Sequence, residues 1–371
     1  MIGTLSLMAS PRFYADTATG SACYHCVSRV VGRQRVLDDE AKDEFVRLMR
    51  AYETFCQVRI LSYVVMTDHF HVLVEVKSRP VGAEAREFTD EWLIKQLRLI
   101  YAKPYVDDLA KQLAELRSQS RKGGRQADEL KEKYLGRMWD VSQFMKELKQ
   151  RFSLWFNKRN GRRGTLWEER FASVLVEDKA QALSVLSAYL DLNPVRAGLV
   201  NHPADYTWCN YAEAGLGNRK ALSALAKVTG LQAADGGSRL PPAAKILQAY
   251  DPLLVPGEPV PSAGQAKKRA LDQSKKAAKA PAAEGGEDSP KRRGRQPQPK
   301  LSLQEGLRHQ VRYFSRGVVV GSEAFVEEFF QSHRDRFQPD RKSGARPMKE
   351  ADFGDLKSMR ALRTGVVRGD Q

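Results

Sequence analysis

The sequence predicts an α+β protein: an antiparallel sheet packed by helices, enlarged by a helical insertion and followed by a basic linker and a small terminal segment. Three observations carry that expectation. CYHCVSRVV alternates as a half-buried strand does, and QVRILSYVVM and HVLVEV are short apolar runs that read as further strands. They recur at helical spacing between the first two of these runs and again in VSQFMKELKQRFSLWFN. The order strand, helix, strand, strand is then followed by helix, strand, helix, which is how a split βαβ unit is laid out along a chain.

Residues 1 to about 20 read as an irregular lead-in. CYHCVSRVV is the first strand. Cys23 and Cys26 lie three apart on it and so point to opposite faces, where they do not converge on a metal. A helix follows at about 39–55, with Phe45, Leu48, Met49 and Tyr52 on one side. QVRILSYVVM and HVLVEV are the next two strands, broken at Thr67-Asp68. Residues 81–135 are charged and helical, and SRKGGRQ reads as a polar turn between two helices. Val141, Phe144, Met145, Leu148, Phe152 and Trp155 then form an apolar stripe whose simplest role is core packing. KRNGRRG is a basic turn leading into TLWEERFASVLV, a strand with Trp167 near its start. The helix EDKAQALSVLSAYLDLN opens on acidic residues and is stopped by Pro194.

These elements predict a ferredoxin-like split βαβ sandwich, an antiparallel sheet with helices on one face, over residues 1–215, with the helical insertion at about 81–135. Residues 216–260 read as a helical and irregular extension. The Ala/Lys/Pro/Gly run at 261–300 cannot bury a core and reads as a disordered basic linker. Residues 301–371 read as a small, mostly helical segment to which the sequence attaches no role.

The 371 residues carry a net charge of +16. Eleven basic and four acidic residues fall between Pro261 and Lys300, so the remainder stays basic as well. That balance points to a polyanionic partner, most commonly nucleic acid. Four cysteines are too few for a disulfide framework in a chain of this length. There is no run of 18 apolar residues and no basic-then-apolar leader, so a cytoplasmic protein without a membrane partner is expected.

Two of the six histidines sit in MTDHFHVLVE. On a strand His69 and His71 share a face, about 6.5–7 Å apart at their Cα atoms. Imidazoles so spaced can hold one metal ion. With no HExxH and no clustered thiols, the site is open to oxygen ligands, which suits Mg²⁺ or Mn²⁺ acting on phosphate. Asp68 reads as a turn residue. On the last helix Leu183, Leu186 and Leu190 define a buried stripe, with Tyr189 at its edge, hydroxyl outward, and Asn193 one turn further on.

MTDHFHVLVE resembles the His-hydrophobic-His (HUH) motif of single-strand DNA nucleases, and GTLWEERFASVLVEDKAQALSVLSAYLDLNPVRAGLV is similar to the single-tyrosine HUH transposases, the REP-associated tyrosine transposases above all. The resemblance covers roughly residues 15–215. It implies that Tyr189 is the nucleophile, that His69, His71 and Asn193 hold a divalent ion (Mg²⁺ or Mn²⁺), and that single-stranded DNA with a hairpin or palindromic repeat is cleaved through a 5′-phosphotyrosine link. Where many members carry tyrosine, this chain has Phe152 and Phe171. One tyrosine per chain implies a homodimer, or two successive uses of one site. Arg151, Lys158, Arg159, Arg162, Arg163 and Arg170, interleaved with Trp155 and Trp167, read as a DNA-binding surface of phosphate contacts and base stacking. The alternative is a domesticated, non-cleaving nucleic-acid-binding regulator on the same fold, whose mark would be loss of the tyrosine or a histidine. All three are present.

Overall fold

The computed structural model describes residues 20–119, 121–231, 240–254, 301–309, 311–349 and 351–360. The expected lead-in and the linker 261–300 thus lie, but for residue 20, outside the described residues.

Strand β1 (Ser21–Arg29), helix α1 (Asp39–Phe55), β2 (Val58–Val65) and β3 (His69–Lys77) follow the predicted order. Asp38 caps α1 by accepting the Ala41 N–H, and Asp39 and Glu40 face the positive end of the helix dipole. The insertion holds three helices, α2 (Asp90–Leu97), α3 (Lys103–Ser118) and α4 (Arg121–Leu135). SRKGGRQ is therefore mostly the first turn of α4 instead of a turn between helices. Gly123 explains the difference: a Cβ there would lie 2.5 Å from the Leu116 carbonyl oxygen, so glycine is what lets α4 start tight against α3. Helix α5 (Val141–Arg159) and β4 (Ala172–Val176) complete a sheet core of order β2-β3-β1-β4, antiparallel throughout. This is the ferredoxin-like arrangement, with α1 and α5 packed together on one face.

Strand parity sorts the two cores. Tyr24, Cys26, Phe70, Val72 and Val74 face α1, the insertion and α5, while Cys23 and Leu73 face the other way. The stripe Val141, Phe144, Met145, Leu148 and Phe152 is buried as expected. Trp167 is buried with it, edge-on to Phe70 and tilted on Phe152.

Helices on one face was the expectation; both faces are covered. The second is packed by α6 (Ala180–Asp191), α7 (Asn193–Arg196), α8 (Asn210–Gly215), α9 (Arg219–Val228) and α10 (Ala243–Tyr250), together with the C-terminal segment. That segment holds α11 (Leu303–Leu307), α12 (Arg312–Arg316), β5 (Gly317–Gly321), α13 (Glu323–Ser332), β6 (Arg346–Pro347) and β7 (Lys357–Arg360). Instead of standing apart, it extends the sheet to β2-β3-β1-β4-β5-β7-β6, with β5 parallel to β4. The run GVVVG is too short to show alternation, so its strand character is hidden in the sequence. Glu177, just past β4, accepts the backbone N–H and the hydroxyl of Ser322, which pins the start of α13. Among the described residues no helix is long and apolar enough to cross a membrane.

Asp191, at the end of α6, is fully buried. Desolvation raises its carboxyl from 3.8 to about 7, against hydrogen bonds from the Tyr250 hydroxyl (2.8 Å) and the Tyr211 N–H (3.2 Å). The folded chain therefore keeps a proton that the unfolded chain releases, and stability falls as pH rises from about 4 to about 7, then levels off. Asp191→Asn keeps the shape without the charge. It is expected to stabilise the protein at pH 8 by a few kcal/mol, since each tenfold change in proton affinity is worth about 1.4 kcal/mol, and hardly at pH 4. Thermal melts at the two pH values check this; equal gains at both would contradict it.

Candidate active site

The odd-numbered face of β3 opens on a cleft of about 480 Å³ lined by His69, His71, Tyr189 and Asn193. Four residues from two distant sequence motifs thus share one cavity. Register explains the first half: β1 lies beside β3 with Val27 opposite His71 and Arg29 opposite His69. The second half comes from α6, which runs across this face and brings Tyr189 to His71, ring centroids 6.4 Å apart and nearly perpendicular.

His71 is buried, and its orientation is fixed by a chain of hydrogen bonds. The Phe314 carbonyl lies 2.8 Å from His25 Nδ1, and a carbonyl can only accept, so His25 Nδ1 carries the proton. Burial holds His25 down to about 4, hence neutral near pH 7, and its Nε2 must accept. The partner 2.9 Å away is His71 Nδ1, which therefore donates. The two rings stack at 5.1 Å with 11° between planes. Burial first, then the charges of His69 and His25, keep His71 well below the ordinary histidine range. His71 is left neutral with its Nε2 lone pair free. With both nitrogens engaged, His25 is itself no ligand.

His69 keeps 15% of its side chain exposed, and its Nδ1 lies 2.6 Å from Asp68 Oδ1. Asp68, read as a turn residue, thus orients a histidine. Burial alone would raise its pKa, but the hydrogen bond with His69 and the charges of His69 and Arg29 bring it below the usual value. Asn193 Nδ2 is buried without a hydrogen-bond partner among the described residues, an orphan amide at the cleft wall. Among the described residues no group of three or more His, Cys, Asp or Glu is placed to hold a metal. The donors on offer are two imidazoles and an amide, an open set that leaves room for water and phosphate oxygens.

Tyr189 is only 3% exposed, where the edge of a half-buried helix was expected. The difference lies in the C-terminal segment: Phe314 packs on its ring at 5.0 Å and encloses the outer side of α6. On another side stands Arg196, its guanidinium carbon 4.0 Å from the ring centroid. Arg196 donates to the Tyr189 carbonyl (2.6 Å) and to the Leu307 carbonyl (2.7 Å) and has no carboxylate partner among the described residues. Desolvation lowers it to about 10, still charged at neutral pH. The Tyr189 hydroxyl makes no hydrogen bond among the described residues, which leaves it available to an incoming group. Arg29, Arg35 and Arg308 also line the cleft, against Asp68 as the one acid among the described residues, so its charge balance favours anions.

The expected DNA-binding residues fare unevenly. Trp167 is core, with its indole N–H donated to the Lys149 carbonyl at 3.2 Å, so it offers no stacking face. Arg159 is held by Asp38 and Glu40. Arg162 stacks its guanidinium over Phe156 at 5.7 Å. Arg151, Lys158 and Arg163 are exposed but do not line the cleft. Arg170 lines a neighbouring one.

The class defined by these features is an antiparallel βαββαβ sheet whose central strand presents a histidine pair to a tyrosine on a covering helix. Residues 18–81, from β1 through both histidines, match the family model described as transposase IS200-like. The resemblance read from MTDHFHVLVE holds over that stretch, which ends before Tyr189. A solved structure of a REP-associated tyrosine transposase bound to a REP hairpin is similar at 13% identity, covering 56% of this chain and 86% of that one, with a TM-score of 0.35. No curated protein matches the chain.

The hydrogen-bond chain through His25 makes a prediction of its own. His25→Phe fills the space but gives His71 Nδ1 no acceptor, so the His71 ring can turn or change tautomer. If His71 holds a metal, as proposed below, loss of such a supporting partner lowers metal affinity about 10–100-fold. Titration with Mn²⁺ followed by its electron paramagnetic resonance signal checks this. His25→Gln, which can still accept, should recover part of the loss.

Proposed function

We propose that the chain is a metal-dependent single-strand DNA endonuclease and strand transferase of transposase type. The observation that carries this reading is the gathering of Tyr189, His69, His71 and Asn193 in one cationic cleft. Mg²⁺ or Mn²⁺, held by His69, His71 and Asn193, would neutralise charge on a non-bridging oxygen of the scissile phosphate. The chain's own groups do the rest. Arg29, Arg35 and Arg308 draw the phosphodiester into the cleft. The Tyr189 oxygen attacks phosphorus as its proton passes to solvent; the new bond is P–O(Tyr189), and the bond broken is that to the 3′ oxygen, which leaves as a free 3′-hydroxyl. Arg196, above the ring, offsets the negative charge that develops on the phenol oxygen. Reversal by the 3′-hydroxyl of another end joins strands without ATP.

A hairpin or palindromic repeat as the folded part of the substrate, and a second copy of the chain supplying a second tyrosine, are the parts of the proposal drawn from the motif resemblance. The test is incubation of the full chain with end-labelled single-stranded hairpins and Mg²⁺ or Mn²⁺. A labelled protein band that survives denaturation and disappears with EDTA is expected. Its absence with every hairpin and both ions would count against the reading and favour a non-cleaving binder.

A further inference from the structure

We propose that Arg312 and Ser315 of the C-terminal segment complete the substrate site: with β1, the turn at Arg33 and the residues leading into β4 they form a second, arginine-lined cleft that takes the phosphodiester backbone of the single strand adjoining the reacting linkage. This rests on the reading of the first cleft given above and extends it along the strand.

The second cleft, about 440 Å³, is contiguous with the first: Val27, Arg29 and Ser315 line both. Its cations are Arg29, Arg33, Arg170 and Arg312. Glu168 and Glu169 also line it, which leaves an excess of positive charge. Even with those carboxylates nearby, none of the four guanidiniums forms an ion pair among the described residues. Arg47, Arg50, Arg79, Arg117, Arg137 and Arg159, by contrast, are each paired with a carboxylate. Arginines left unpaired in a concave surface are placed for an anion from outside the chain.

Two details show that the cleft is held in place. Gly32 and Arg33 both adopt left-handed backbone (φ 62° and 54°), which a side-chain-bearing residue rarely does, and hydrogen bonds from Val31 to Leu166 (2.9 Å) and from Arg33 to Val30 (3.0 Å) fix the turn. Arg312 stands on α12, whose Phe314 carbonyl receives the His25 proton at 2.8 Å and whose Phe314 ring packs on Tyr189. The position of Arg312 is thereby tied to the histidine and the tyrosine of the first cleft. One isolated phosphate would occupy the first cleft alone. Two contiguous cationic clefts suit a ligand with anionic groups in series, and a single nucleic-acid strand is that ligand.

The experiment uses the full chain and two fluorescent oligonucleotides: one hairpin with a single-stranded flank and the same hairpin trimmed flush. Binding is followed by anisotropy from low to high salt for wild type, Arg312→Gln and Arg33→Gln/Arg312→Gln. The double variant is expected to lose the preference for the flanked form, and its salt slope on that form should fall by about 1.4, at about 0.7 per phosphate contact to a single strand. Binding of the trimmed hairpin should not change. Arg312 is exposed, so the single variant keeps the test valid if Arg33→Gln disturbs its turn. Unchanged affinity and slope on the flanked form would overturn the inference. Covalent adduct formation is measured on the same wild-type sample: adduct with unchanged slopes rejects the second cleft alone, and changed slopes without adduct reject the first reading alone.

Discussion

Tyr189→Phe is expected to remove covalent adduct and strand cleavage together, by at least about 10⁴-fold, as loss of a nucleophile does in enzymes where it has been measured. The substitution deletes one oxygen. That oxygen makes no hydrogen bond among the described residues, and the ring keeps its packing on Phe314 and beneath Arg196. The melting temperature should therefore move by no more than about 2–4 °C, the size of a 1 kcal/mol change in a domain of 150–250 residues. Oligonucleotide affinity should hold, because the arginines of the cleft are untouched. Cleavage near the wild-type rate in this variant would reject Tyr189 as the nucleophile.

Arg196→Met is expected to damage both stability and reaction. The methionine fills much of the volume but abandons two carbonyls, those of Tyr189 and Leu307, each left without its donor at about 1–3 kcal/mol. A loss on the order of 2–5 kcal/mol, read in a denaturant titration, follows. The reaction should slow by a further 10²–10³-fold or so in the folded fraction, the scale for removing one fixed charge-stabilising donor. Arg196→Lys separates the two effects: it restores the positive charge but cannot reach both carbonyls as a fork, so activity should recover more than stability. Equal recovery of both would make Arg196 a purely structural residue.

What the sequence discloses here follows from the range of each interaction. Short apolar runs expose β1, β2 and β3, and strand geometry puts His69 and His71 on one face, because both properties are set by neighbouring residues. The same rule places His25 on that face too, but its use as a support for His71 depends on the Phe314 carbonyl, 289 positions away. Tyr189 was legible as a candidate and illegible as a buried one, because the element that covers it, α12, lies far downstream in the sequence. Trp167 shows the reverse error. It sits beside a run of arginines in the sequence, yet the cage of Phe45, Phe70 and Phe152 claims its ring. Arg29 was readable in retrospect, two places from Val27 and across from His69, once the β1–β3 register was known. Arg196 and Arg308 carried no local signal, since what distinguishes them is which carbonyls and which cavity they meet.

The most direct test is to locate the bond. Wild-type protein is incubated with a single-stranded hairpin and Mn²⁺, digested with trypsin and nuclease, and the peptide bearing residual nucleotide is sequenced by mass spectrometry. Phosphonucleotide on the peptide that spans Tyr189, joined through the 5′-phosphate, is the predicted result. Nucleotide on any other tyrosine, or an adduct that persists undiminished in His69→Ala/His71→Ala protein, would contradict a single site built from the β3 histidines and the α6 phenol.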